Sequence, residues 1–144
     1  MAEHTFEVEI AAPPETVYDI WTNPERSPGW TEGLTRVTDV TGAPGQAGTR
    51  WTAWFGRTAA SVQVTVGQRP HRFAWRVRLG PLSSEFDSTF EPSPSGTRMA
   101  ETVRTRGVIG WAWNRILSTG SYRGSFRGEL QAFARICERE GRPR

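Results

Sequence analysis

The chain contains no lysine, one cysteine (Cys137) and two histidines (His4 and His71). Without lysine there is neither a Schiff-base nucleophile nor the ammonium group of a phosphate-binding loop. A single cysteine excludes an internal disulfide and any zinc site built from several thiolates. Two histidines are too few for a histidine-rich metal centre, so no metal and no cofactor is expected. No apolar run approaches the ~18 residues a membrane span needs. The opening Met1-Ala2-Glu3-His4 also lacks the basic-then-apolar order of a secretory signal. The expected location is cytoplasmic, with no integral membrane segment.

What is present fits one globular unit. The 144 residues are 36% hydrophobic and 23% charged, with a mean hydropathy of -0.54, and are read as a single domain over 1–144. The net charge of +3 comes from 18 basic residues, all arginine. They are scattered from Arg26 to Arg144 with no run of five. The densest groups, Arg69/Arg72/Arg76/Arg78 and Arg98/Arg104/Arg106, alternate along strands as a solvated face does. No nucleic-acid partner is expected from that pattern.

Hydrophobic periodicity sets the elements. Phe6, Val8 and Ile10 alternate with Glu7 and Glu9, the pattern of a half-buried strand. Pro13-Pro14-Glu15 opens a helix, with proline in the first turn and an acid at the positive end of the dipole. Val17, Ile20 and Trp21 form its apolar stripe, Asn23-Pro24 ends it, and Pro24 to Trp30 reads as a second short helix or turn. Strands are expected near 34–41, 48–55, 58–68, 71–79, 83–91 and 97–106, and their short glycine- and proline-rich separators favour an antiparallel meander. From about Val108 to Gly141 the spacing is helical, with Tyr122, Phe126, Leu130, Phe133 and Cys137 on one stripe. Gly120, Gly124 and Gly128 fall nearly opposite, either as close-packing points, as tolerated weaknesses or as a kink.

The order predicts an α+β fold: a curved antiparallel seven-stranded sheet around a long C-terminal helix, with two short helices after strand 1. The sheet must bury one face against that helix, and a gap between them is the usual place for a small-molecule pocket. Alternation assigns its walls. Phe73, Trp75, Val77 and Leu79 share one face of their strand; Ser84, Phe86, Ser88 and Phe90 share one face of the next. Ala60, Val62, Val64 and Val66 form a third inward set. Met99, Glu101, Val103 and Thr105 make a fourth, which would place the Glu101 carboxyl in an apolar chamber, where desolvation raises its pKa. A register slip would instead turn Glu101 to solvent. Strand 48–55 is ambiguous, with Trp51, Ala53 and Phe55 on one side and Arg50, Thr52 and Trp54 on the other.

Ile10-Ala11-Ala12-Pro13-Pro14-Glu15-Thr16-Val17-Tyr18 and Thr22-Asn23-Pro24-Glu25-Arg26-Ser27-Pro28-Gly29-Trp30 resemble the opening of the SRPBCC superfamily, which includes START domains, the birch-pollen-allergen fold and bacterial polyketide cyclase/dehydrase-like proteins. Gly48-Thr49-Arg50, Gln68-Arg69-Pro70-His71-Arg72 and Gly96-Thr97-Arg98 sit where that group carries its turns. The resemblance implies a helix-grip fold with a deep cavity, and places Trp30 on the cavity wall. The ligand-binding candidates are Trp30, Trp51, Val64, Phe73, Trp75, Val77, Ser84, Phe86, Ser88, Phe90, Met99, Glu101, Tyr122 and Phe126.

The first functional expectation is binding of a hydrophobic small molecule such as an aromatic polyketide, a lipid or a related metabolite. No nucleophile elbow, metal motif or phosphate loop is present. The second is a polyketide cyclase, aromatase or dehydratase using Arg50, Tyr122 and Glu101. The third is a protein-interaction or chaperone-cofactor module, with a homodimer possible. Val108, Ile109, Trp111, Trp113, Ile116 and Leu117 would supply a lid, an interface or packing on the sheet. The entrance is expected among Gly56-Arg57, Gly80-Pro81-Leu82 and Gly107 to Trp111.

Overall fold

The computed structural model describes residues 2–31, 33–106 and 120–141, with side chains for all of these except 2, 105, 106 and 120–127. Strand β1 (Ala2–Ile10) leads into helix α1 (Pro14–Trp21) and a 3-10 helix (Pro24–Gly29). Six strands follow: β2 (Arg36–Thr41), β3 (Arg50–Phe55), β4 (Thr58–Gln68), β5 (Arg72–Leu79), β6 (Leu82–Ser93) and β7 (Gly96–Arg106). Helix α2 (Gly120–Glu140) comes last. All seven strands pair antiparallel in the order β1-β7-β6-β5-β4-β3-β2, which leaves the sheet open between edges β1 and β2. This is the expected α+β architecture.

The strand order explains where the short helices lie. The chain starts at one edge and must reach the other before the meander begins. That is six strand spacings, roughly 29 Å at about 4.8 Å each. It makes the crossing through α1 and the 3-10 helix. Pro13 and Pro14 start α1 with no side-chain cap, and Asn23 caps the 3-10 helix by accepting the Glu25 N–H at 3.2 Å.

The core lies between the sheet's inner face and the helices. Phe6, Ile10, Phe90, Met99 and Val103 from the strands meet Val17, Tyr18 and Ile20 of α1 and Leu130, Phe133, Ala134 and Cys137 of α2. Polar contacts fix the C-terminal end of α2. Arg26 of the 3-10 helix grips Glu140 through two guanidinium hydrogen bonds, and Glu138 accepts the Ala11 N–H at 3.1 Å. No helix among the described residues is long and apolar enough to cross a membrane.

The outer face carries the strand arginines, paired across strands with acids: Arg72 with Asp87 at 2.7 Å, Arg98 with Glu9 at 3.1 Å and Arg104 with Glu3 at 3.0 Å. Exposed pairs of this kind contribute little to stability singly. Trp54 resolves the ambiguity of β3: it lies on this outer face, donating to Thr38 at 2.9 Å beneath the Arg36 guanidinium. Trp51, Ala53 and Phe55 therefore face inward.

One inward assignment is corrected. A bulge shifts the β4–β5 register between Val64 and Val66, so Val64 opposes Trp75 while Val66 opposes Ala74. The extra residue reverses the alternation, and Val66 joins the outer face. Gly67 then opposes Phe73, where the loop after β2 crosses the sheet. A Cβ there would stand 2.4 Å from the Gly45 carbonyl oxygen, so only glycine fits. Tyr18 donates to the same carbonyl at 2.7 Å.

Candidate functional site

A cavity of about 240 Å³ lies between the inner face of β3–β7, α1, the 3-10 helix and α2. Trp51, Ala53 and Phe55 enter it from β3, Val62 from β4, Phe73, Trp75 and Val77 from β5, Phe86 from β6 and Glu101 from β7. Trp21 closes it from α1, with Pro24, Ser27 and Trp30 from the segment that follows and Glu129 from α2. Phe55, 39% exposed, marks its outer rim beside the β3–β4 turn.

The aromatic rings pack as two plates. Trp21 stacks on Trp30 with centroids 5.8 Å apart at 17°, and Trp75 stacks on Phe86 at 5.1 Å and 6°. Trp21 also meets Trp75 edge-on at 5.8 Å. Phe133 braces the first plate from α2, 4.8 Å from Trp21 and 4.9 Å from Trp30. These contacts hold the wall rings in fixed orientations, with faces and edges available to a flat molecule.

The polar groups at this wall are few. Glu101 is 1% exposed, and its Oε2 has no hydrogen-bond partner among the described residues. Burial first, and then the negative charge of Glu129, hold its carboxyl well above the usual carboxylate range. Ser88 sits directly across the β6–β7 ladder from Glu101, and its Oγ is also buried without a partner; the indole N–H of Trp21 is the third such group. Buried polar atoms are nearly always satisfied. Three unmet ones at or beside a single cavity mark a place where a bound molecule can supply the missing partners.

The sequence candidates divide into three sets. Trp30, Trp51, Phe73, Trp75, Val77, Phe86 and Glu101 come together on the lining. Val64, Ser84, Ser88, Phe90 and Met99 are buried but stand behind or beside it. Phe90 is taken up by Tyr18 of α1, 5.5 Å away. Arg50 is not brought to the cavity. It is exposed on the outer face, in a shallow recess with Ser61, Gln63, Arg76 and Arg78, because its neighbour Trp51 takes the inward position. The side chains of Tyr122 and Phe126 lie outside the described residues, as do Val108, Ile109, Trp111, Trp113, Ile116 and Leu117.

Trp21, Pro24, Ser27, Thr31, Leu34, Ala53, Phe55, Val62 and Glu129 also line the cavity and were not among the ligand-binding candidates. For Glu129 a signal existed. It falls three residues after Phe126 and four before Phe133, on the flank of the apolar stripe. Cys137 is wholly buried, and burial, followed by the charge of Glu140, pushes its thiol up to about 12, leaving it inert. Among the described residues no group of three or more His, Cys, Asp or Glu side chains is placed to hold a metal ion.

The same fold occurs in solved structures of bacterial proteins. One from Mesorhizobium loti is 17% identical with a TM-score of 0.75, covering 95% of this chain and 97% of that one. Another, from Nitrosomonas europaea, is 14% identical with a TM-score of 0.74, covering 96% of each. A third, from Rhodobacter sphaeroides, is 16% identical with a TM-score of 0.73, covering 94% and 91%. Among curated proteins none matches this sequence. The family described as polyketide cyclase / dehydrase and lipid transport matches residues 1–139. That span takes in all seven strands, both cavity-closing helical segments and every lining residue from Trp21 to Glu129, and the chain belongs to this family.

Proposed function

We propose that the protein binds a small hydrophobic molecule, with one or two rings, in the cavity between the sheet and its helices. The observation that carries this reading is the lining itself: paired aromatic plates around about 240 Å³, with unpartnered polar groups at one side. That volume lies just below the ~300 Å³ at the lower end of ordinary ligand pockets, so the occupant is compact. Family membership supports a hydrophobic ligand. Binding is put ahead of cyclase or dehydratase chemistry because Arg50, one of the three groups which that reading uses with Glu101 and Tyr122, faces the opposite side of the sheet.

The test is a titration with neutral propylbenzene followed by tryptophan emission, since four of the wall rings are indoles. A saturable change is expected. It should weaken at least tenfold in Ala53→Phe, which fills the cavity from β3. A change that does not saturate, or one indifferent to that substitution, would sink the reading.

A further inference from the structure

We propose that the outer face of the sheet carries a second site, across β3, β4 and β5, that takes a soluble phosphate monoester. It lies on the opposite side of the sheet from the cavity and is independent of what the cavity binds.

Arg50, Ser61, Gln63, Arg76 and Arg78 line a solvent-open recess of about 270 Å³. The strand register brings them together. Gln63 of β4 lies opposite Arg50 of β3 on one side and Arg76 of β5 on the other, and Ser61 lies opposite Arg78. Arg50 and Arg76 thus stand two strand spacings apart, about 10 Å, and Arg76 and Arg78 one pleat apart, about 7 Å. Long arginine side chains span such gaps, so three guanidiniums converge on a group held between them.

The charge in this recess is unbalanced, unlike that on the rest of the face. Arg72, Arg98 and Arg104 each meet an acid from a neighbouring strand. Strands β3, β4 and β5 contain no acidic residue at all. Arg76 reaches Glu85 of β6 at 3.5 Å, while Arg50 and Arg78 make no ion pair among the described residues. The segment 107–127 carries no acid either, and the one acidic side chain outside the described residues is Glu32. Cations set this close repel one another, and an anion between them removes that cost.

The lining also indicates which anion. The side chains of Arg50, Ser61, Gln63 and Arg78 make no hydrogen bond among the described residues, so their donors are unengaged. Guanidinium forks match phosphate oxygens two at a time. Three forks, an amide and a hydroxyl exceed what the two oxygens of a carboxylate accept. They suit the three terminal oxygens of a phosphate monoester, whose charge is about −1.5 to −2 at pH 7. No apolar side chain is among the described lining residues, so the recess offers a bilayer no anchor. The phosphate therefore belongs to a soluble molecule.

The experiment titrates glycerol 3-phosphate and acetate at pH 7 and equal ionic strength by calorimetry, beside sedimentation with phosphatidylcholine vesicles with and without phosphatidate. Glycerol 3-phosphate is expected to bind saturably and at least tenfold more tightly than acetate. Arg50→Gln and Arg78→Gln should each weaken it at least fivefold. Arg98→Gln, on the same face but outside the recess, should change it less than twofold. All three positions are exposed, so the variants keep the fold, which circular dichroism checks. Binding no tighter than that of acetate, or equal losses in all three variants, would overturn the site in favour of diffuse surface charge. Capture by phosphatidate vesicles without binding of glycerol 3-phosphate would overturn the soluble ligand.

Discussion

Glu101 has its proton held by burial and by the charge of Glu129, and this links the stability of the fold to pH. Its folded-state pKa lies above the unfolded value, so the folded chain keeps a proton that the unfolded chain has released. The stabilisation from that proton is complete below about pH 4, near the unfolded pKa, and is lost as pH rises through the folded value. The cost is up to about 1.4 kcal/mol for each pH unit in that window. Glu101→Gln removes the titrating group and keeps the shape. Thermal unfolding of the two proteins should nearly coincide at pH 4, with the variant increasingly more stable towards pH 8. A constant difference across that range would show that Glu101 titrates in the folded chain as it does in the unfolded one. The inward side of this residue was legible from Met99 and Val103 on the same alternation. Its isolation was not, because that depends on Glu129 arriving from a helix distant in sequence.

At the level of single elements, the strands were the most readable part of the chain. Each has a polar and an apolar side, and the separators carry glycine or proline. Two features defeated the pattern. The β4 bulge inserts one residue without any change in composition, so Val66 reads as a continuation of Ala60, Val62 and Val64 while facing the other way. In β3, tryptophan stands on both faces, and the Arg36 guanidinium over Trp54 and the Trp54 hydrogen bond to Thr38 show which indole is outside. Helix α2 was legible from its stripe, and its glycines posed a choice that Gly128 partly answers. That residue is exposed, and a Cβ there meets nothing within 4 Å, so it is no close-packing point. Gly128→Ala should stabilise the protein by about 0.5–1 kcal/mol, read as a higher midpoint in urea. A lower midpoint would mean that the position needs glycine for a reason the described contacts do not contain.

For the molecule as a whole, the architecture followed from element order, whereas the size of the cavity did not. Order says that a sheet faces a helix. The volume left between them depends on how far Tyr18, Trp21 and Phe133 reach into the gap, which is a matter of three-dimensional packing. The same packing makes α2 indispensable, since Leu130, Phe133, Ala134 and Cys137 complete the core. A chain ending at Arg106 should retain strand signal in circular dichroism, bind a hydrophobic dye and lose its cooperative thermal transition. A sharp transition in that truncated chain would show that the sheet is stable without its helix.

The pairing of β1 with β7 carries a consequence for how the chain is made. Ile10 closes the first strand, and its partner strand ends at Arg106. At about 5–20 residues per second of synthesis, β1 leaves the ribosome roughly 5–20 s before it can be matched. Throughout that interval it is an unpaired strand with an apolar face, in the company of identical strands on neighbouring nascent chains. Glu3, Glu7 and Glu9 alternate along it, and like charges set strand against strand discourage such pairings. The acids that later meet Arg98 and Arg104 across the finished sheet thus guard the newborn chain against its own copies.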